Sequence, residues 1–222
     1  MAKKVFTHNL YEPLNGVTTV KVDIDAGDGN LSVDGLAAGE PALATGTLQV
    51  LESEGQPTRA LIARDVPATF TLRREKRQGR FVRLPWAACN GATEWQIHLN
   101  PTAALDITAH SDGGNVKLDL EGMAVTHVSA DTGGGNVDVR LPDPGADLSV
   151  TAKSGAGNVT VLVPSGVVAR IHARTGLGKT IVDPRFTKTG DNTYESPNFG
   201  SATRTIEVTA QSGAGNVVVA TR

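Results

Sequence analysis

The densest run of chemically assertive side chains is Arg73, Arg74, Lys76, Arg77, Arg80 and Arg83, six cations within 11 residues, with Glu75 among them and Phe81 beside them. Cations at that density can hold an anionic polymer or the headgroups of an anionic lipid surface. Gln78-Gly79 is a turn signal that sets them at the tip of a hairpin over 73–83. The competing reading is a charged tip that keeps a hairpin soluble. His8, His98, His110, His127 and His172 show no metal-ligand spacing, and no nucleophile elbow accompanies the many Ser, His and Asp residues. No catalytic, cofactor-binding or metal-binding residue is nominated, and no cofactor is expected. Trp86 and Trp95, with Phe81 and Cys89, form the one aromatic concentration. It reads as a small core under inserted hairpins, with a carbohydrate-stacking platform as the alternative.

A glycine phrase, G-x-G-N-[VL]-x-[VL], invites two further chemistries. A phosphate loop needs a strand-to-helix junction, but each copy here runs into a strand pattern. A calcium-binding roll needs carboxylates stacked from copy to copy. Asp28 and Asp112 are present, but Gly134, Ala156 and Ala214 occupy the slot elsewhere.

The phrase itself dictates the architecture. Its Asn slot holds Asn30, Asn115, Asn136, Asn158 and Asn216, with Lys179 in a degenerate sixth copy. From Asn115 to Lys179 the steps are 21, 22 and 21 residues. Eight positions before the slot stand Val22, Ile107, Val128, Val150, Ile171 and Val208; one and three positions after it the residues are Val or Leu, with Thr180 the exception. This is period-two alternation on both sides of a tight turn. A unit so short cannot bury its apolar face alone, and stacking on its neighbours does so. The spacing therefore predicts an all-β chain: a β-solenoid, a single-stranded β-helix-like stack of about six coils with 21–22-residue repeats and inserted β-hairpins. Gly before the Asn slot predicts positive φ or close backbone approach. The Ser or Thr four positions before it, with Ala26 the exception, predicts a hydroxyl bonded to turn backbone. The Asn residues are read as a structural turn ladder, each amide stacking on the next coil.

Along the chain, 1–16 reads as an N-terminal cap and 17–40 as the first coil. Inserted strands and hairpins occupy 41–100, with strands near 43–51, 59–65, 68–75, 79–84 and 93–99. Continuous coils fill 101–183, an inserted loop 184–200, and the last coil 201–222, all within one β-solenoid domain. Five positions before the Asn slot, Asp25, His110, Asp131, Lys153, Arg174 and Gln211 form a charged row in which Asp131 faces Lys153. The last strand, GNVVVATR, reads as a free edge for self-association, with a dimer favoured.

Composition adds exclusions. Over 222 residues the net charge is −2, which gives no global pull toward nucleic acid or membrane. Cys89 is the lone cysteine, so no intrachain disulfide forms, and a reducing compartment is compatible. The start, MAKKVFTHNLYEPLNG, lacks an apolar signal segment. No apolar run approaches the roughly 18 residues of a transmembrane helix. A cytoplasmic location is expected.

The stretches VDIDAGDGNLSV, IHLNPTAALDITAHSDGGNVKLDLEG, VSADTGGGNVDVRLP and VTAKSGAGNVTVLVP resemble the prokaryotic "putative adhesin" domains of unknown function, also called toast-rack domains. The resemblance runs over about 17–222. It implies a β-solenoid-like stack without established catalytic residues, in a family many of whose members resemble surface or membrane-linked proteins. The expectation is a non-catalytic structural and interaction module, an adhesin-like scaffold, rather than an enzyme. The first alternative is a binder of anionic polymer or lipid headgroups through the 73–83 hairpin. The second is a polysaccharide-active β-helix enzyme.

Overall fold

The computed structural model describes residues 4–52, 56–74, 93–143 and 145–222. Strand β1 (Val5–Pro13) leads into β2 (Thr19–Asp25) and β3 (Asn30–Gly35). Then come β4 (Ala42–Leu51), β5 (Thr58–Ile62), β6 (Ala68–Arg73) and β7 (Glu94–Leu99). The expected strand near 79–84 lies outside the described residues. Paired strands follow: β8 (Ala104–Ser111) with β9 (Val116–Asp119), β10 (Val125–Thr132) with β11 (Val137–Arg140), β12 (Leu148–Ser154) with β13 (Val159–Val163), and β14 (Ala169–Leu177) with β15 (Thr180–Val182). Short strands β16 (Thr187–Lys188) and β17 (Thr193–Glu195) precede β18 (Ile206–Ala214) and β19 (Val217–Thr221). Among the described residues there is no α-helix, only one 3-10 turn at Phe199–Ser201.

The strands form two large, mostly parallel sheets. One runs β1-β4-β7-β3-β9-β11-β13-β19-β15, the other β16-β17-β14-β18-β12-β10-β8-β2-β6-β5. Alternation explains why each strand has two different faces. Val20, Val22 and Ile24 are buried between the sheets, while Lys21, Asp23 and Asp25 point outward. In-register pairing then stacks like on like. Val128 faces Ile107 on one side and Val150 on the other, and Ala130 lies between Ala109 and Ala152. Full burial of each such aliphatic side chain contributes about 1.5–3 kcal/mol, so the core is a column of modest, repeated terms.

The spatial order departs from chain order at both ends. β2 and β3 directly follow β1 in the chain, yet they lie inside the sheets, between β8/β9 and the later β6/β7. At the other end the chain passes from β12/β13 to β14/β15 and leaves one place open. β18/β19 then returns to fill it. The inserted loop 184–200 read from the sequence supplies the slack for this return, and its β16–β17 hairpin lines the outer side of β14.

This order overturns the expectation that the last strand is a free edge. β19 pairs with β13 on one side and β15 on the other. Among the described residues, the outermost strands are β1 and β15 in one sheet and β16 and β5 in the other.

Candidate functional site

The turns between paired strands are closed by two ladders. In the first, Asn30 Oδ1 accepts the backbone N–H of Asn115, Asn115 Oδ1 that of Asn136, and Asn136 Oδ1 that of Asn158, at 2.8–2.9 Å. Asn158 then serves Asn216, and Asn216 serves Lys179, each at 2.9 Å. The degenerate copy thus ends the ladder. Among the described residues no further strand lies beyond Lys179 whose N–H needs an acceptor, so Asn is dispensable there.

In the second ladder the hydroxyls of Thr132, Ser154, Ser212 and Thr175 donate to the carbonyls of Gly114, Gly135, Gly157 and Gly215, each at 2.7 Å. Close approach is what demands glycine before the Asn slot. A Cβ on Gly114, Gly135, Gly157 or Gly215 would stand 2.1–2.2 Å from the neighbouring glycine's carbonyl oxygen. Positive φ, the alternative reason, occurs in this series only at Gly178, the end of the stack.

The row of outward side chains just before these turns carries the chemistry. In spatial order it reads Arg73, Asp25, His110, Asp131, Lys153, Gln211 and Arg174. Asp131 faces Lys153 in register. His110 Nδ1 meets Asp131 Oδ1 at 2.6 Å and its Nε2 meets Asp112 Oδ1 at 3.2 Å. Burial opposes the imidazolium, but the hydrogen bonds to Asp131 and Asp112 and the charges of Asp131 and Asp25 outweigh it, so the pKa of His110 is raised.

Past Asp131 the row borders a groove of about 720 Å³ that crosses β10, β12, β18 and β14, with Ser129, Asp131, Lys153, Gln211 and Arg174 along it and Gly155, Gly213 and Gly176 at its turn side. Among the described residues neither Lys153 nor Arg174 has a carboxylate within ion-pair distance. Arg174 Nη2 instead donates to Gln211 Oε1 at 3.1 Å.

The basic run singled out from sequence is only partly described. Arg73 ends β6, where it is ion-paired with Asp23, and Arg74 pairs with Asp28 at 3.7 Å. Lys76, Arg77, Arg80 and Arg83 lie outside the described residues, as do Phe81, Trp86 and Cys89. Trp95 is a correction to the platform reading: it is fully buried in β7, and its Nε1 donates to the Gln49 carbonyl at 3.1 Å, so its ring faces the core. Among the described residues no group of three His, Cys, Asp or Glu side chains could hold a metal ion, and no helix is long and apolar enough to cross a membrane. The groove was missed from sequence. Its members lie on four strands, and only the charged row hinted at it.

Repeated glycine-asparagine turns, joined by hydroxyl and amide ladders between two mostly parallel sheets, are matched by a family model. The model for the N-terminal domain of toast-rack, DUF2154, covers residues 2–162. The chain belongs to the toast-rack family. A protein named as a "putative cell adhesion protein" from Clostridium sporogenes superposes on this toast-rack chain with a TM-score of 0.87 at 24% identity, over 99% of this chain and 100% of that one. The two share the fold. A "putative adhesin" from Bacteroides fragilis aligns over 100% of this chain and 98% of that one, at 12% identity and a TM-score of 0.37. No curated protein matches the chain.

Proposed function

We propose that the chain is a non-catalytic, adhesin-like interaction module, built as a β-solenoid of about six coils with 21–22-residue repeats. One observation carries this reading. The polar groups that recur from repeat to repeat, the turn hydroxyl and the Asn amide, are consumed in bonds between neighbouring strands. Repetition here builds an extended surface instead of converging on a reacting atom. The name of the similar protein from Clostridium sporogenes, which refers to cell adhesion, supports the same direction.

Self-association belongs to this reading, with a dimer favoured, and its natural sites are the outermost strands. β1 offers nine residues with Phe6 and Tyr11 exposed, and β15 is short with its central Ile181 exposed. Sedimentation velocity over a concentration and salt series tests it. A salt-independent dimer supports pairing through strands, whereas a strict monomer at high micromolar concentration removes self-association. Turnover on a panel of glycans would remove the non-catalytic reading.

A second reading, contact with an anionic partner, is favoured by a specific observation. Lys153 and Arg174, which form no ion pair among the described residues, face one groove, while Arg73 and Arg74 already have carboxylate partners.

A further inference from the structure

We infer that the groove across β10, β12, β18 and β14 binds an acidic polysaccharide, with Lys153 and Arg174 each taking a carboxylate of the glycan and Asp131 accepting a sugar hydroxyl. This rests on the reading of the chain as an interaction module and gives that module a ligand class.

The spacing of charge comes first. Lys153 and Arg174 both pair with Gln211, one from each side. They therefore stand two strands apart, roughly 10 Å at the usual interstrand distance. A neutral amide separates them, and it already orients the guanidinium through the 3.1 Å bond to Gln211 Oε1. That leaves other N–H donors of Arg174 for a ligand, in the planar array suited to a carboxylate. Lys153 has no hydrogen-bond or ion-pair partner among the described residues, so its ammonium is a free point charge beside the groove.

The groove also says which anion is excluded. Asp131 lies within it, one strand from Lys153. Its Oδ1 is engaged by His110, and its Oδ2 has no partner among the described residues. A polymer with a charge on every unit would set an anion against that carboxylate. A glycan with spaced carboxylates and hydroxyls between them presents a donor there instead. Ser129 adds a second hydroxyl partner on the same side. The groove crosses the strands and thus runs along the stack, so an extended chain fits it better than a compact ligand. Among the described residues no aromatic ring lines it, so binding is polar and weakens with salt.

Calorimetric titration of the full chain with an oligosaccharide in which uronates alternate with neutral sugars, its carboxyl-reduced neutral counterpart, oligo-glutamate and polyphosphate tests this. The wild type is expected to bind the uronate in low salt and to lose most of that affinity for the neutral counterpart. Lys153→Gln with Arg174→Gln should weaken uronate binding by about tenfold or more, as loss of charge-assisted contacts implies. Both side chains are exposed, so the double variant keeps its fold, which its melting curve checks. Lys117→Gln, on the other sheet, should leave binding unchanged. Asp131→Asn should weaken the uronate and strengthen oligo-glutamate. Equal binding of uronate and neutral glycan, or a double variant that binds like wild type, overturns the assignment. Tighter binding of oligo-glutamate or polyphosphate than of uronate gives the groove to an acidic peptide or a polyphosphate and also overturns it. No uronate binding by a chain that still self-associates in sedimentation sinks this inference alone; loss of both sinks the module reading with it.

Discussion

Asn136 Oδ1 accepts the backbone N–H of Asn158 at 2.9 Å, and Asn158 Oδ1 passes the same bond to Asn216, although 58 residues separate that pair. The bond follows spatial neighbourhood, not chain order, and it marks the direction of the whole stack. Replacing Asn136 with Ala leaves the Asn158 N–H to solvent. The site is exposed, so the expected cost is about 1 kcal/mol, read from the urea midpoint. Lys179→Asn, at the end of the ladder, should change stability by less than about 0.5 kcal/mol. Equal effects at the two positions would contradict the ladder's role.

Glycine gives a sharper contrast. A Cβ on Gly135 would lie 2.1 Å from Gly114 O and 2.5 Å from its carbonyl carbon, both backbone atoms that cannot give way alone. Gly135→Ala must pry adjacent strands apart, with an expected loss above about 3 kcal/mol or failure to fold. Gly200 meets nothing within 4 Å and has no positive φ. Gly200→Ala should be neutral or slightly stabilising, because it restricts the unfolded chain. Thermal melting of the two variants side by side decides the point.

The turn hydroxyl is both donor and acceptor. Thr132 Oγ1 donates to Gly114 O at 2.7 Å and accepts the Gly135 N–H at 3.2 Å, in a buried position. Thr132→Val keeps the shape and strands both backbone groups, at an expected cost of about 1–3 kcal/mol. Thr132→Ser keeps the oxygen and should recover most of the loss. Chemical denaturation of both variants separates hydroxyl chemistry from methyl packing.

Much of this was readable from the repeats. The apolar rows, the register of Asp131 opposite Lys153 and the insert's strands near 43–51, 59–65, 68–75 and 93–99 follow from period-two alternation and turn residues. The place of β18/β19 was not readable, because every repeat offers its neighbours the same apolar rows and the same turn. Two physical features choose the order. Lys179 lacks an acceptor side chain and so suits an end position, as the Asn216 bond to its N–H illustrates. The displaced order also puts Gln211 between Lys153 and Arg174, where simple succession would set like charges face to face. The groove follows from that same displacement, which is why the sequence pointed to the 73–83 run instead.

His110 makes the stack sensitive to pH. Its pKa is raised: burial opposes the charge, and the bonds to Asp131 and Asp112 with the nearby charge of Asp25 overcome it. A folded value above the ordinary 6.5 means that the folded state holds the proton more tightly than the unfolded chain. The stabilisation is therefore fully present below the ordinary value and is lost as pH rises through the folded one. His110→Gln keeps a polar side chain but cannot carry the charge. Its stability deficit against wild type should be largest near about pH 5.5 and should shrink near about pH 8.5. Denaturant midpoints of the pair across that range give the answer, and a deficit that grew with pH would mean that neutral His110, not the imidazolium, joins β8 to β10.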